Sequence, residues 1–441
     1  LKSLLLVAAE FLRRCTASKT KRNMQTHTTD LMIIGGGASG LAAAVAAKQL
    51  YPEISVTILE RNARVGKKIL ATGNGRCNLG NTNQDLEHYH GSFAEQCKKI
   101  FSDTQSAEIF FQNMGLLSRH ETDGRLYPLS NQATSVLDAI RFTAQQLGVS
   151  IACDCDVTAL QKSENVLEVK TTQGVYPASA VILAVGGFAA PKTGSDGSAF
   201  SWLEQLGHTT VPTKPALVPF YTEPKLVHPL KGIRIPAEVS AVSESGTVLA
   251  KDTGEVQFTE RTISGICVMN LSARCCKEEP TMLSLRLLPN IASQKIESIL
   301  WELYGIRANW KQEDWLSGLF PKKVGTQLLR TAGVTASLES PVYQITQSQL
   351  EQVAENILSW KFPVLSRGGW SESQVTAGGI SANETDDTLQ SKMMEGLFFA
   401  GEILDLHGDC GGYNLNWAWQ SGQFAGKNAA EYVIQKRGEN H

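Results

Sequence analysis

Two glycine-rich segments at opposite ends of the chain carry residue types that can hold a dinucleotide. The first is Gly35-Gly36-Gly37-Ala38-Ser39-Gly40, a G-x-G-x-x-G pattern. Gly35 permits a tight turn, Gly37 lets backbone approach a pyrophosphate, and Gly40 allows close helix–strand packing. Ala38 and Ser39 open a helix whose unpaired N–H groups carry about half a positive charge towards the phosphates. Glu60 follows at the end of the next apolar run, where a carboxylate accepts hydrogen bonds from ribose hydroxyls and repels a 2′-phosphate. Next come Arg61, Gly66, Lys68 and the loop Thr72-Gly73-Asn74-Gly75-Arg76-Cys77-Asn78. Its glycines admit backbone contacts to a pyrophosphate, and Lys68 or Arg76 supplies charge.

The second segment is Ala400-Gly401-Glu402, then Gly411-Gly412-Tyr413-Asn414 before a helix. A carboxylate at the end of a late strand suits the ribityl hydroxyls of a flavin. A Gly–Gly turn at a helix start places N–H groups near the flavin pyrimidine, where negative charge accumulates on reduction. The first pattern leaves FAD and NAD open, and this second segment favours FAD. A second G-x-G-x-x-G for a full NAD(P)H domain is missing, so NAD(P)H, if used, binds without its own fingerprint; a substrate that reduces the flavin directly, with O2 as acceptor, is equally consistent. Asn78, Thr376 and Tyr413 are the candidates for a catalytic role beside a flavin. No zinc-type cysteine spacing occurs, and no metal is expected.

The elements that must position these residues are legible. Leu31–Ile34 and Ile54–Leu59 are short apolar runs flanking the helix-favouring Ala38–Leu50, a βαβ unit. Ile151–Asp156, Val166–Thr171, Val175–Pro177 and Val181–Val185 suggest further strands, and 104–148 reads as mostly helical. Six prolines between Val211 and Pro236 mark a change of character, followed by alternating apolar and polar residues over Glu238–Thr259. A helical period spans Ile291–Ala332 and Ser348–Trp360. Strand character returns at Leu397–Ala400, then a helix over Trp417–Gln435. The expectation is an α/β fold: a Rossmann-like nucleotide-binding domain from 24–207 and 371–441. A region at 208–370 is inserted, β-rich over 208–285 and 333–370 and helical over 286–332. Residues 1–23 read as an extension preceding a start at Met24.

Composition narrows the function. With 441 residues and 42% apolar content the chain can bury a large core, which excludes intrinsic disorder. Lys+Arg 41 against Asp+Glu 43 offers no global basic field for nucleic acid. No apolar run reaches the roughly 18 residues of a membrane span. Nine scattered cysteines fit reduced thiols in a cytoplasmic protein. His88, His90 and His208 read as surface or capping residues.

Taken together, G-G-G-A-S-G with Glu60, G-K-K-I-L-A-T-G-N-G-R-C-N at 66–78, V-T-A-G-G-I at 375–380 and the terminal A-G-E-I-L-D…C-G-G-Y-N-L-N-W-A-W-Q-S-G resemble a known family. It is the aminoacetone-oxidase-like FAD-binding oxidoreductases, a branch of the two-dinucleotide-binding-domain flavoproteins. The resemblance implies non-covalent FAD, an inserted β-barrel plus a helical subdomain, and amine oxidation or enone reduction on a small molecule. It places FAD on Gly35–Gly40, Glu60, Lys68, Gly73–Asn78, Glu402 and Gly412–Asn414, with Val157 lending backbone to the adenine. The loop 192–197 is shorter than the family's usual one. Two other functions stand beside it: a flavin-dependent RNA-modifying enzyme and a non-catalytic FAD redox sensor.

Overall fold

The computed structural model describes residues 29–163, 166–335 and 337–439. The expected extension at 1–23 lies outside them. β1 (Thr29–Ile34) and β2 (Val56–Leu59) pair in parallel, in register from Leu31 opposite Val56 to Ile34 opposite Leu59. Their apolar residues are buried, as parallel sheets covered on both faces require. Between them, α1 (Ala38–Leu50) is apolar almost all round, and Leu41–Ala47 are buried. Such a helix needs cover on both sides. The sheet supplies one side; α3 (Tyr413–Glu439) supplies the other.

The parallel sheet runs β3–β2–β1–β4–β5, with β3 at Ser150–Ala152, β4 at Gly174–Leu183 and β5 at Leu397–Phe399. A hairpin, Val157–Ser163 with Val166–Thr171, continues antiparallel on the first half of β4. β5 pairs with the second half, so the last third of the chain returns to the sheet opened by the first. The long helix α3 then lies across α1. Gly422 and Gly426 sit so close to the carbonyls of Ser39 and Ala43 that a Cβ at either would overlap them.

The other lobe is a seven-stranded antiparallel sheet. Its two edge strands, Trp360–Pro363 and Ser366–Arg367, are consecutive in sequence, and Val364 and Leu365 bond to Thr281 and Tyr221 from opposite sides. The sheet therefore curls towards a barrel. The helix α2 (Ile266–Arg274) packs on it. Helices Ser293–Ile306, Lys322–Thr331 and Gln347–Leu358 complete this lobe around a second apolar core. Two antiparallel strands, Thr210–Ala216 and Val375–Ile380, carry the chain out and back.

Three local expectations are corrected. Residues 104–148 contain a hairpin, Ser118–His120 with Arg125–Pro128, between two helices. Asp123-Gly124 makes its turn, with Gly124 left-handed at φ +81°. The strands expected at Val175–Pro177 and Val181–Val185 are one continuous strand, β4. The helical period over Ile291–Ala332 is two helices, Ser293–Ile306 and Lys322–Thr331, with Pro321 as the N-cap of the second.

Candidate functional site

One cavity of about 720 Å³ runs from the Gly35–Gly40 turn, past the 66–78 loop, to the Gly411–Gly412 turn and the face of α2. Gly37 stands at its wall, and a Cβ there would meet nothing within 4 Å. That is the open approach a pyrophosphate needs. Glu60 is fixed from three sides: Oε2 accepts from Gly36 N at 3.0 Å, and Oε1 from Asn62 N at 2.8 Å and Asn62 Nδ2 at 2.6 Å. An ionised carboxylate has about four acceptor positions, so capacity remains for ribose hydroxyls. Arg61 bridges Asp156 and Asp196 across the same end of the cavity. Deleting the Glu60 carboxylate should weaken FAD by about 10- to 100-fold, ~1.5–3 kcal/mol for a charged acceptor. Fluorescence titration of apoprotein with FAD reads this, and an unchanged affinity of Glu60→Ala removes Glu60 from the site.

The two chain ends meet at an ion pair. Lys68 Nζ lies 2.5 Å from Glu402 Oε2, while Glu402 Oε1 accepts from Thr376 N at 2.9 Å. Lys68 and Glu402 both line the cavity, as do Gly35, Ala38, Ser39, Gly73, Arg76, Val157, Gly412 and Asn414. Asn78 lines it too, and its buried Oδ1 has no hydrogen-bond partner among the described residues. A buried acceptor left alone is costly, and here it stands beside Gly412. This orphan, the open space at Gly37 and the charge pair at mid-cavity fit a dinucleotide with a polar ring system at its far end.

Several expected contacts take other places. Cys77 faces the core: its left-handed backbone (φ +59°) turns the side chain inward, and burial pushes its thiol up to about 12. Tyr413 stacks on His88 with ring centroids 4.4 Å apart and does not line the cavity. Gly40 and Gly401 act as spacers, against Gly35 O and Ser39 respectively. Gly75 is likewise off the wall. Thr376 is fully buried, and its hydroxyl oxygen accepts from Phe188 N at 2.8 Å and Ala189 N at 3.1 Å, so it pins the 187–189 loop. His208 is buried between Glu384 and Ser391 instead of at the surface.

Asp409 is the main residue that sequence reading passed over. Its side chain is 1% exposed and accepts from His88 Nδ1 at 3.2 Å, His90 Nε2 at 3.0 Å and Arg274 Nη2 at 2.5 Å. Burial alone would raise its pKa, but the hydrogen bonds from His90 and Arg274 outweigh it and hold the carboxyl at about 2. Arg274 ends α2, so this carboxylate ties the barrel lobe to the turn before Gly411. Asn270 of the same helix accepts from Cys410 N at 2.8 Å.

His407 lies beside this group. Its Nε2 donates to Ala273 O at 3.2 Å, and its buried Nδ1 has no partner among the described residues. Burial, then the neighbouring His90, lowers its pKa to about 4. The unfolded chain takes up this proton near pH 6.5, the fold only near 4. This group's contribution is therefore complete above pH 6.5 and is lost as pH falls towards 4, about 3 kcal/mol in all. Urea midpoints measured across that window should fall for the wild type and fall less for His407→Gln; parallel curves refute the assignment.

The HI0933-like protein Rossmann domain model matches residues 29–428. The chain belongs to the HI0933-like family. Its relatives include a 3-dehydro-bile acid delta(4,6)-reductase of Clostridium scindens, 37% identical over 407 residues, 90% of this chain and 98% of the relative. The ribosomal RNA dihydrouridine synthases of Escherichia coli and Haemophilus influenzae are each 27% identical, over 89% and 88% of this chain and 96% of each relative. As an HI0933-like chain with a full-length reductase relative, the protein is an FAD-dependent oxidoreductase. No helix among the described residues is long and apolar enough to cross a membrane.

Proposed function

We propose that the protein reduces a carbon–carbon double bond conjugated to a carbonyl in a small, largely apolar molecule. The observation that carries this is the far wall of the cavity. Beyond the Gly411–Gly412 turn, Leu217, Ile266, Met269 and Val375 present an apolar surface of the barrel lobe and its link strands. FAD, when bound, supplies hydride chemistry; the apolar wall supplies an enclosing surface for a hydrocarbon skeleton. The relatives' names support the reaction type. A 3-dehydro-bile acid delta(4,6)-reductase and a ribosomal RNA dihydrouridine synthase differ in substrate, but both names describe hydrogen added to an unsaturated compound.

The amine oxidation associated with aminoacetone-oxidase-like proteins is less well served. An ammonium substrate needs a free carboxylate. Asp409, the acid on this part of the wall, is already neutralised by Arg274 and flanked by two histidines. An RNA substrate would need a basic surface, and the chain's net charge is -2.

The test is anaerobic reduction of the holoprotein by NADH or NADPH, followed by a steroidal 4-en-3-one, a primary amine or ribosomal RNA. Enone-dependent reoxidation with formation of the saturated ketone is expected. Reduction of the oxidised holoprotein by the amine alone, or dihydrouridine formation without turnover of any enone, overturns this function.

A further inference from the structure

We propose that Arg125 binds the carbonyl oxygen of the substrate; this rests on the enone-reductase function above. Three guanidinium groups stand on the cavity wall, those of Arg61, Arg76 and Arg125. Arg61 is spent on Asp156, Asp196 and Gly194 O. Arg76 is spent on Gly73 O, Glu121 and the Tyr127 hydroxyl, and it lies over the Tyr127 ring. Arg125 differs. Its Nε donates to Asp123 Oδ2 at 2.6 Å and its Nη2 pairs with the same oxygen, with Glu121 Oε2 3.9 Å from Nε. Among the described residues its Nη1 meets no acceptor. One edge of a planar, five-donor group is thus locked, and the remaining donors are left for a ligand.

The position of that free edge is fixed by the backbone. Arg125 opens the strand Arg125–Pro128 and stands opposite Asn81, with Leu126 opposite Gly80. Asn81 Nδ2 donates to Gly411 O at 3.1 Å, and Gly80 O lies directly under Gly412. The Arg125 charge also acts on the Cys410 thiol. The guanidinium is therefore held at the Gly411–Gly412 end of the cavity, the end that carries the apolar wall of Ile266 and Met269. Gly124 keeps the turn short: it is left-handed, and a Cβ there would strike Asn81 Oδ1.

A fixed pair of N–H donors beside an apolar wall suits a hydrocarbon bearing one electron-rich oxygen. FAD, when bound and reduced, would supply a hydride to the β-carbon, and the conjugated electron pair would then rest on that oxygen. Arg125 holds the charge without giving up its proton, and a solvent proton at the α-carbon completes the saturated ketone. Donors preset on the carbonyl oxygen bind the ground-state ketone and hold the developing charge more strongly still.

The experiment uses FAD-loaded wild type, Arg125→Met and Arg125→Lys, with a steroidal 4-en-3-one and the same steroid lacking the 3-oxygen. Affinities come from perturbation of the flavin spectrum, and the absorption band of the bound enone is recorded. Wild type should bind the ketone about 10- to 100-fold more tightly than the deoxy steroid, the range of one charge-assisted hydrogen bond, and red-shift its band. Arg125→Met should erase both effects while leaving the deoxy steroid and FAD affinities unchanged; Arg125→Lys should restore part of each. Ketone preference and band shift retained in Arg125→Met overturn the role of Arg125 alone. A wild type with no preference for the ketone overturns the enone function, and this inference with it.

Discussion

Asp409→Ala should lower the unfolding free energy of the apoprotein by about 3 kcal/mol. Removing one member of a buried ion pair typically costs ~3–5 kcal/mol, because the partner charge stays behind uncompensated. Here the lower end applies. Arg274 is 27% exposed and His90 24% exposed, so water can solvate them in part after the carboxylate has gone. The loss has a second consequence. Asp409 N donates to His88 O, and Asn414 Nδ2 donates to Asp409 O, so the residue is stitched to the strand Tyr89–His90 and to the start of α3. Releasing its side chain frees the turn that presents Gly411 and Gly412, and FAD affinity should fall with stability. Asp409→Asn keeps the shape and removes the charge, so it should lose less than half as much. Urea unfolding of the three proteins at neutral pH decides it: equal midpoints for wild type and Asp409→Ala would show that the cluster contributes nothing.

The candidate cofactor end of the cavity is legible in the sequence because its geometry is local. A turn that needs Gly35 at φ +104°, an open approach at Gly37 and a carboxylate one strand later are all set by residues within one βαβ unit. Glu402 was legible for the same reason, at the end of β5. Asp409 was not: its partners are Arg274, 135 positions earlier, and His88 and His90, over 300 positions earlier. Only the two lobes folding together makes that acid a hub. Its one local signal is an acid two residues before a Gly–Gly turn. Arg125 is hidden differently: its short hairpin lies between two helices, so the helical period of 104–148 masks the Asp123-Gly124 turn. Cys77 misled in the opposite direction. It sits in the right loop by number, but four left-handed residues, Gly73, Asn74, Gly75 and Cys77 itself, rotate it into the core while Arg76 and Asn78 stay on the wall.

Gly40→Ala should abolish FAD retention through purification and destabilise the fold by about 3 kcal/mol or more, the upper end of the usual cost of overpacking. The reason is that neither side of α1 can yield. A Cβ at Gly40 would overlap the carbonyl oxygen of Gly35, which is backbone within the phosphate turn. Gly35 cannot retreat, because it is left-handed and abuts Ala184 O of the neighbouring strand end. The helix cannot lift away either, because Gly422 of α3 already rests on Ser39 O and Gly426 on Ala43 O. One methyl group must therefore deform the phosphate turn or part α1 from α3. Gly75→Ala is the matched control. It too lies in a glycine-rich loop with positive φ, +81°, but its Cβ would enter open space. Its cost should stay near the ~1–2 kcal/mol of one left-handed non-glycine residue, with FAD retained. Thermal melts and flavin-to-protein absorbance ratios of both variants read the contrast, and Gly40→Ala protein that stays yellow with a wild-type melting temperature would show that the turn and its helix are not clamped as described.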